Sequence, residues 1–134
     1  MNGLRANVKR DDVNLLSITL RYVPSANEPF LRYARDHNDS FAVVLYFNQK
    51  LNDTSQKRAI EWTHRMIELV LRLGGTYYLP YQRYPTRKHL LQAYPQIEQF
   101  FKLKQHYDPE SLFENNWYNA YKHPTDNNNQ KRNN

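Results

Sequence analysis

The sequence predicts an α+β fold in which helices pack on one face of a mixed sheet, the opposite, polar face stays open, and further helices follow at the C-terminal end. Three observations lead to this prediction. Two segments in the first third of the chain alternate apolar and polar residues, as strands do. A long amphipathic stretch follows them, and shorter helical stretches punctuated by proline fill the C-terminal half. The length of 134 residues suits a single domain.

The first predicted strand covers 15–23 and has one apolar and one polar face. Ser17, Thr19 and Arg21 alternate with apolar residues, so they lie on the polar face. Pro24 ends the strand because proline cannot donate a ladder hydrogen bond. The apolar face of this strand carries Leu16, Ile18, Leu20 and Tyr22.

The second predicted strand covers 41–48 and carries the strongest apolar signal in the chain. We expect the face with Phe41, Val43, Leu45 and Phe47 to pack under the helix that follows. Tyr46 and Asn48 lie on the opposite face. The open, polar face of the sheet is therefore predicted to carry Thr19, Arg21, Tyr46 and Asn48.

A long helix is predicted over 54–73, with Asp53 as its N-cap and Gln56 completing a capping box. Gly74 supplies the C-terminal stop. A third strand is predicted over 76–79, and the order strand, helix, strand implies a right-handed crossover between two parallel strands. The inner stripe of the helix is predicted to contain Ile60, Thr63, Met66, Ile67 and Val70.

Proline residues and caps define two further helices. The first begins after its cap, Thr86, and runs to about Ala93. Pro95 is predicted to be the first residue of the second, because its fixed φ suits a helix start. Tyr107-Asp108-Pro109 closes that second helix, since the residue before a proline disfavours helical backbone.

The two ends of the chain differ from its middle. Residues 1–12 have no cap or clear pattern and are predicted to be a poorly ordered start. The stretch 13–122 is predicted to form the folded domain. The polar stretch 123–134 is predicted to be a disordered tail, because it is made almost entirely of residues that build no core.

Composition excludes several classes of function. The absence of cysteine excludes disulfides, thiol catalysis and cysteine-ligated zinc. Three glycines are too few for a phosphate loop or a dinucleotide-binding fingerprint, and there is no nucleophile-elbow motif of a hydrolase. The five histidines are not expected to cluster with carboxylates, so no metal site is predicted, and they are interpreted as solvated or capping residues. No apolar run is long enough for a membrane span, and a cytoplasmic location is expected.

The net charge of +6 leaves two interpretations of the basic residues. They lie among tyrosines, so they suit a surface that grips phosphates or single-stranded bases. Alternatively, they are the solvated sides of two amphipathic helices. We favour the second interpretation and expect no nucleic-acid partner, because the residues are spread over two predicted helices. They are Arg83, Arg87, Lys88, Lys102 and Lys104, among Tyr81, Tyr84 and Tyr94.

Three motifs in the C-terminal half carry a family resemblance. They are Gly-Gly-Thr-Tyr-Tyr-Leu-Pro-Tyr at 74–81, Ala-Tyr-Pro-Gln-Ile-Glu-Gln-Phe at 93–100 and Tyr-Asp-Pro-Glu-Ser-Leu-Phe at 107–113. Together they resemble the C-terminal, substrate-side part of FAD-linked oxidases of the vanillyl-alcohol-oxidase and p-cresol-methylhydroxylase fold. The nearest likeness is to the aldonolactone and alditol oxidases and the decaprenylphosphoryl-ribose oxidases. A weaker likeness extends back to about residue 15.

The resemblance implies a set of site residues on the polar face of the sheet. In that family one strand carries an acidic residue and an arginine two positions later, the next a histidine, and the third an aromatic residue three positions before a lysine. Here the corresponding positions hold Thr19 and Arg21, then Tyr46, then Tyr78 and Tyr81. The implied catalytic residues are Arg21, Tyr46 and Tyr81, the implied substrate contacts are Thr19, Tyr78 and Asn48, and the implied cofactor contacts are Tyr81 and Asn115.

The same resemblance implies a function. The chain is expected to be a truncated, substrate-side portion of an FAD-dependent oxidoreductase that oxidises an alcohol or sugar-like small molecule by hydride transfer to the flavin. FAD is expected only in the full-length enzyme, whose FAD-binding domain a longer chain or another subunit would supply, and the isolated chain is expected to be inactive. Formation of a homo-oligomer is left open. The alternative is a stand-alone basic, tyrosine-rich module that binds a small anionic ligand or single-stranded nucleic acid.

Overall fold

Five helices and two strands form the part of the chain that the computed structural model describes, which is residues 2–25, 29–32, 34 and 38–123. This arrangement confirms the α+β class and the C-terminal helices. In chain order the elements are α1 (Asn2–Arg10), β1 (Leu15–Val23), β2 (Ser40–Phe47), α2 (Asp53–Arg72), α3 (Arg87–Ala93), α4 (Ile97–Tyr107) and α5 (Asn116–Tyr121).

Strands β1 and β2 pair antiparallel, and both lie within one residue of their predicted bounds. Cross-strand partners share a face of the sheet, so the register assigns every side chain. The face here called the apolar face carries the pairs Ile18–Leu45, Leu20–Val43 and Tyr22–Phe41. The face here called the polar face carries the pairs Ser17–Tyr46, Thr19–Val44 and Arg21–Ala42.

The predicted third strand at 76–79 is wrong, because these residues form irregular backbone and the start of a turn. Within the described residues the sheet has two antiparallel strands, so the predicted parallel crossover is absent as well. The phenol of Tyr94 gives a physical reason: it donates a 2.6 Å hydrogen bond to the backbone carbonyl of Tyr77. The Tyr77 carbonyl, which strand pairing would use, is thereby bonded to the residue that follows α3. The segment is therefore held at the C-terminal helices and not at the sheet.

Helix α2 begins and ends almost where the pattern places it. Its N-cap is Asn52, whose side chain accepts from the Ser55 amide at 2.9 Å, so the prediction of Asp53 as the cap is off by one residue. Gly74 follows the helix with a φ of 77°, the left-handed conformation expected of a glycine stop. Of the predicted inner stripe Ile67 is buried and the rest is half-buried, while Ala59 and Trp62 join it as buried residues.

Helix α1 occupies most of the range predicted to be a poorly ordered start. It is tied to α2 through Asp11, which accepts two hydrogen bonds from the guanidinium of Arg65 at 2.9 and 3.0 Å. A Cβ on Gly3 would lie 3.1 Å from the side chain of Leu69, so the two helices approach closely at this glycine. The sequence carried no local signal for this helix, because its stability comes from docking on α2.

The C-terminal helices hold the main hydrophobic core, which contains Leu90, Ala93, Tyr94, Ile97, Phe101, Tyr118 and Tyr121. Thr86 caps α3 as predicted. Helix α4 starts at Ile97, two residues after Pro95, and ends at Tyr107 with Asp108 as its C-cap, close to the predicted end. Residues 124–134 of the predicted polar tail lie outside the described residues.

Candidate functional site

Three of the predicted site residues share the polar face of the sheet. Thr19 and Arg21 lie two positions apart on β1, and Tyr46 pairs with Ser17 on β2. All three are exposed, with Tyr46 66% accessible. Asn48 follows β2. Its backbone amide donates to the backbone carbonyl of Asn14 at 2.9 Å, which extends the strand pairing beyond the end of β2. The alternation that predicted this face is confirmed.

The polar face combines a guanidinium, a phenol and a hydroxyl on two adjacent strands. A guanidinium offers several fixed N–H donors and suits oxygen atoms or negative charge on a ligand. A phenol and a threonine hydroxyl can both donate and accept, so they can orient a substrate hydroxyl. Within the described pairs of this face there is no carboxylate or lysine. The arrangement can therefore bind and orient an oxygen-rich molecule better than it can remove a proton.

Tyr78 and Tyr81 lie in the irregular segment after α2, not on a strand. The chain turns at Leu79 and Pro80, and the two rings pack edge to face with centroids 4.7 Å apart. Both rings remain exposed, at 48% and 67%. The turn brings together two side chains that a regular strand would place on opposite faces. Whether this pair belongs to the same site as the polar face stays a prediction.

Asn115 has a structural role besides the cofactor contact that the resemblance implies. Its side-chain oxygen accepts from the Tyr118 amide at 2.8 Å and so caps helix α5. The predicted contact of Asn115 with the cofactor is a further role that this geometry leaves untested.

The Tyr-Asp-Pro-x-x-Leu-Phe motif forms a turn built around Asp108. The Asp108 carboxylate accepts from the amides of Leu112 and Phe113 at 2.8 and 3.0 Å, and Lys104 pairs with it one helical turn back. The hydrogen bond from Lys104, followed by those from the backbone, lowers the pKa of Asp108. Ser111, with a φ of 55°, lets the chain reverse inside the turn. The motif therefore anchors the end of α4 to the segment that leads into α5.

Buried tyrosines connect the segment after α2 to the C-terminal helices. Tyr121 donates to the Pro85 carbonyl at 2.5 Å, and burial raises the pKa of Tyr121 to about 12 against the opposing effect of Arg83. Burial also raises the pKa of Tyr77, whose hydroxyl is buried without a hydrogen-bond partner in the described part of the chain. The charge of Arg83, one of the basic residues of this segment, therefore acts on the buried Tyr121.

Two of the basic residues are engaged inside the fold. Arg87 donates to the Tyr121 carbonyl and pairs with Glu98, and its guanidinium lies 5.8 Å from the centre of the Phe101 ring. Lys104, besides its pair with Asp108, lies 5.0 Å from the centre of the Tyr118 ring. These contacts favour the interpretation of the basic residues as parts of packed amphipathic helices.

A groove of about 610 Å³ between α2 and α3 contains two histidines and a glutamate. The rings of His64 and His89 meet edge to face with centroids 5.1 Å apart, and His89 Nε2 lies 4.0 Å from Glu68 Oε1. The expectation that no histidine clusters with a carboxylate is therefore wrong. The spacing of His64 and Glu68, four residues apart on one helix, could have indicated it.

His89 is committed to a capping box and not to a metal. Its Nδ1 accepts from the Thr86 amide at 3.2 Å, while the Thr86 hydroxyl accepts from the His89 amide at 3.2 Å. Because Nδ1 is an acceptor, the ring proton lies on Nε2, which therefore has no lone pair for a metal. Across the described residues no three His, Asp or Glu side chains come together as a metal site. Burial, and then the nearby His64, lower the pKa of His89.

The α+β fold with its C-terminal helices agrees with the fold that the resemblance to FAD-linked oxidases implies. A family model described as D-arabinono-1,4-lactone oxidase matches residues 3–121. The match covers most of the chain, so the chain belongs to the D-arabinono-1,4-lactone oxidase family and corresponds to the C-terminal part of such an enzyme. Comparisons with curated proteins and with solved structures gave no match. In the described residues no helix is both long and apolar enough to cross a bilayer.

Proposed function

We propose that this chain is the substrate-side portion of an FAD-dependent oxidoreductase that oxidises an alcohol or a sugar-like substrate, and that it is inactive without an FAD-binding domain. The observation that carries the proposal is the exposed polar face in a member of this family. That face presents Arg21, Thr19 and Tyr46 as exposed side chains in a row along the strand pair, with Tyr46 opposite Ser17 and four positions from Arg21. FAD, when bound, supplies the hydride acceptor for such an oxidation.

The glycines support the need for a separate FAD-binding domain. A pyrophosphate is usually held by a glycine-rich loop at the start of a helix. Gly74 and Gly75 instead follow the end of α2, where a Cβ on Gly75 would lie 2.7 Å from the Val70 side chain. Gly3 lies inside α1 against Leu69. None of the three glycines forms a pyrophosphate cradle, whereas the open polar face suits the flavin ring and the substrate.

In this proposal each predicted site residue has a distinct task. Arg21 binds substrate oxygens or a developing negative charge, because its guanidinium donates several hydrogen bonds in a fixed plane. Tyr46 and Tyr81 position the substrate hydroxyl and assist removal of its proton. Thr19, Tyr78 and Asn48 contact the substrate, and Tyr81 and Asn115 contact the cofactor.

Three departures from the relatives' pattern bear on the substrate. Thr19 stands where they carry an acidic residue, Tyr46 where they carry a histidine, and Tyr81 where they carry a lysine. Each change replaces an acidic or basic side chain with one that carries a hydroxyl group. A substrate that is held mainly by hydrogen bonds to Arg21 and to hydroxyls therefore fits this face better than one that needs a strong base.

The test is co-expression of this chain with an FAD-binding domain of the same family. We expect a yellow complex with flavin absorbance and substrate-dependent bleaching of that absorbance under anaerobic conditions. Arg21→Ala should lower kcat/KM by roughly 100-fold or more, as the loss of a charged ligand contact does. Arg58→Ala, which changes an exposed arginine on α2, is the matched control. A complex in which Arg21→Ala and Arg58→Ala have the same kcat/KM would refute the assignment.

A second candidate function rests on the charge of +6 and the exposed Tyr78–Tyr81 pair. These features suit a stand-alone module that binds a small anion or single-stranded nucleic acid. Titration of the isolated chain with a fluorescent oligonucleotide and with inorganic phosphate separates the two candidates. Salt-dependent binding that Tyr81→Ala weakens would favour the module, and the absence of binding would favour the oxidoreductase portion.

A further inference from the structure

The apolar face of the sheet is exposed over most of its length. Phe41 is 73% accessible and Leu20 is 53% accessible, although both point to the same side as the half-buried Leu45. The exposed members of this face are Ile18, Leu20, Tyr22, Phe41 and Val43. Side chains of this size and exposure present on the order of 500 Å² of apolar surface, near the upper end of the largest patches on ordinary monomers.

Helix α2 covers only one end of this face. Phe47, the last residue of β2, packs edge to face against Trp62 of α2 with ring centroids 4.8 Å apart. Toward the other end of the ribbon, Phe41 contacts Tyr22 at a centroid distance of 6.0 Å, and both rings remain exposed. A two-stranded ribbon is marginally stable in water without further packing. Among the described residues, this end of the apolar face therefore has no cover, and a partner that packs on it would stabilise the ribbon.

The proposed flavin site does not meet this need. Thr19, Arg21 and Tyr46 lie on the polar face, on the other side of the same two strands. A domain that docks on the polar face leaves the apolar face in water. The partner of the apolar face must therefore approach from the opposite side, whichever molecule docks on the polar face.

We infer that a second copy of this chain covers the apolar face, in a symmetric sheet-on-sheet contact. The paired residues of this face are all uncharged, so the two copies can meet there although each has a net charge of +6. Two patches of this size bury on the order of 1,000 Å² in total, about the minimum for a specific interface. Identical patches also satisfy a two-fold contact, and stacked sheets interdigitate their side chains in this manner.

The Tyr22 end of the apolar face carries the negative charge of Asp39, which would limit the contact between the two copies to the apolar residues. The hydroxyl of Tyr22 donates to the carboxylate of Asp39, and Asp39 also accepts from the Ser25 amide at 2.9 Å. The hydrogen bond from Tyr22 lowers the pKa of Asp39, which keeps the carboxylate ionised. An interface with an apolar centre and a polar rim is the common anatomy of protein contacts.

Sedimentation velocity of the full chain over a range of concentrations tests this inference. We expect a reversible dimer with a dissociation constant on the order of micromolar, as a small interface would give. Leu20→Glu should raise that constant at least about 100-fold, because it places an unpaired carboxylate in the contact on each copy. Thr19→Glu adds the same charge at the neighbouring position on the polar face and should leave the dimer unchanged. A monomer at every concentration, or equal weakening by both variants, would overturn the inference.

Cross-linking provides a test that does not rely on a disruptive variant. The chain contains no cysteine, so a single introduced cysteine is the only thiol. Leu20→Cys should be cross-linked to dimer by a bis-maleimide whose span matches the spacing of about 10 Å between stacked sheets. Thr19→Cys, on the opposite face, should stay monomeric under the same conditions. Efficient cross-linking of Thr19→Cys, or none of Leu20→Cys, would show that another surface is used. Circular dichroism of each variant shows that it has folded.

Discussion

The C-terminal helices and the sheet of this chain bury their apolar residues to very different degrees. Leu90 and Ile97, on α3 and α4, are fully buried, and seven residues of these helices and their connection form one cluster. In contrast, Leu20 and Phe41 of the sheet are more than half exposed. The helices therefore form a closely packed unit, whereas the sheet exposes side chains on both of its faces. One surface is polar and suits a ligand, and the other is apolar and suits a protein partner.

The largest expected effect comes from truncating a residue of the helical core. Ile97→Ala should lower the free energy of unfolding by roughly 3 kcal/mol, because it leaves a cavity beside fully packed neighbours. Ile18→Ala removes the same atoms from a side chain that is 44% exposed and should cost less than about 1 kcal/mol in dilute solution. Urea denaturation followed by circular dichroism measures both. Equal losses would mean that the sheet is as tightly packed as the helices.

A smaller effect is expected at the Asp108 turn, which belongs to the helical unit. Asp108→Ala removes the acceptor of the Leu112 and Phe113 amides and the partner of Lys104. The variant should melt below the wild type but above Ile97→Ala. Since the pKa of Asp108 is lowered in the folded chain, its contribution is present above the unfolded pKa of about 3.9 and is lost as the pH falls through the folded value.

Thermal melting of Asp108→Ala between neutral and acidic pH checks this sign. The difference from the wild type should shrink as the pH falls. Glu110→Ala, in the same turn, changes an exposed carboxylate and serves as the control. A difference that is constant across the pH range would show that the turn does not depend on the charge of Asp108.

The smallest effect is expected from the histidine capping box of α3. The folded chain holds His89 neutral, since burial and His64 lower its pKa, while the unfolded chain protonates near pH 6.5. The unfolded state then binds the extra proton, so stability should fall as the pH drops below about 6.5. The loss should approach about 1 kcal/mol, the usual contribution of a helix cap.

His89→Gln isolates this contribution, because glutamine at the same position can complete a capping box without titrating. We expect the variant to keep its stability at neutral pH and to show a shallower decline toward pH 5. His106→Gln, at an exposed position on α4, should decline as the wild type does. If His89→Gln declines as steeply as His106→Gln, another group is responsible for the acid sensitivity.

Local patterns predicted the parts of the fold that depend on neighbouring residues. Alternation assigned Thr19, Arg21 and Tyr46 to one face, and pairing in the structure confirms it, because side-chain direction repeats every two residues. Thr86 was recognisable as a cap for the same local reason. The predicted third strand at 76–79 does not form, because the Tyr94 hydroxyl, from a later part of the sequence, donates to the Tyr77 carbonyl that a strand would have used.

By itself, the sequence determined the class of the fold, the two strands with their faces and the resemblance to FAD-linked oxidases that the family match then confirmed. These properties follow from short-range periodicity and from motifs that lie close together in the chain. Only the tertiary structure decided that α1 docks on α2, that His89 meets Glu68 and His64, and that the apolar face extends beyond the helix that was expected to cover it. Each of these depends on how far one element reaches across another. These contacts cannot be predicted from composition or residue spacing, because they are set by the packing of the whole chain.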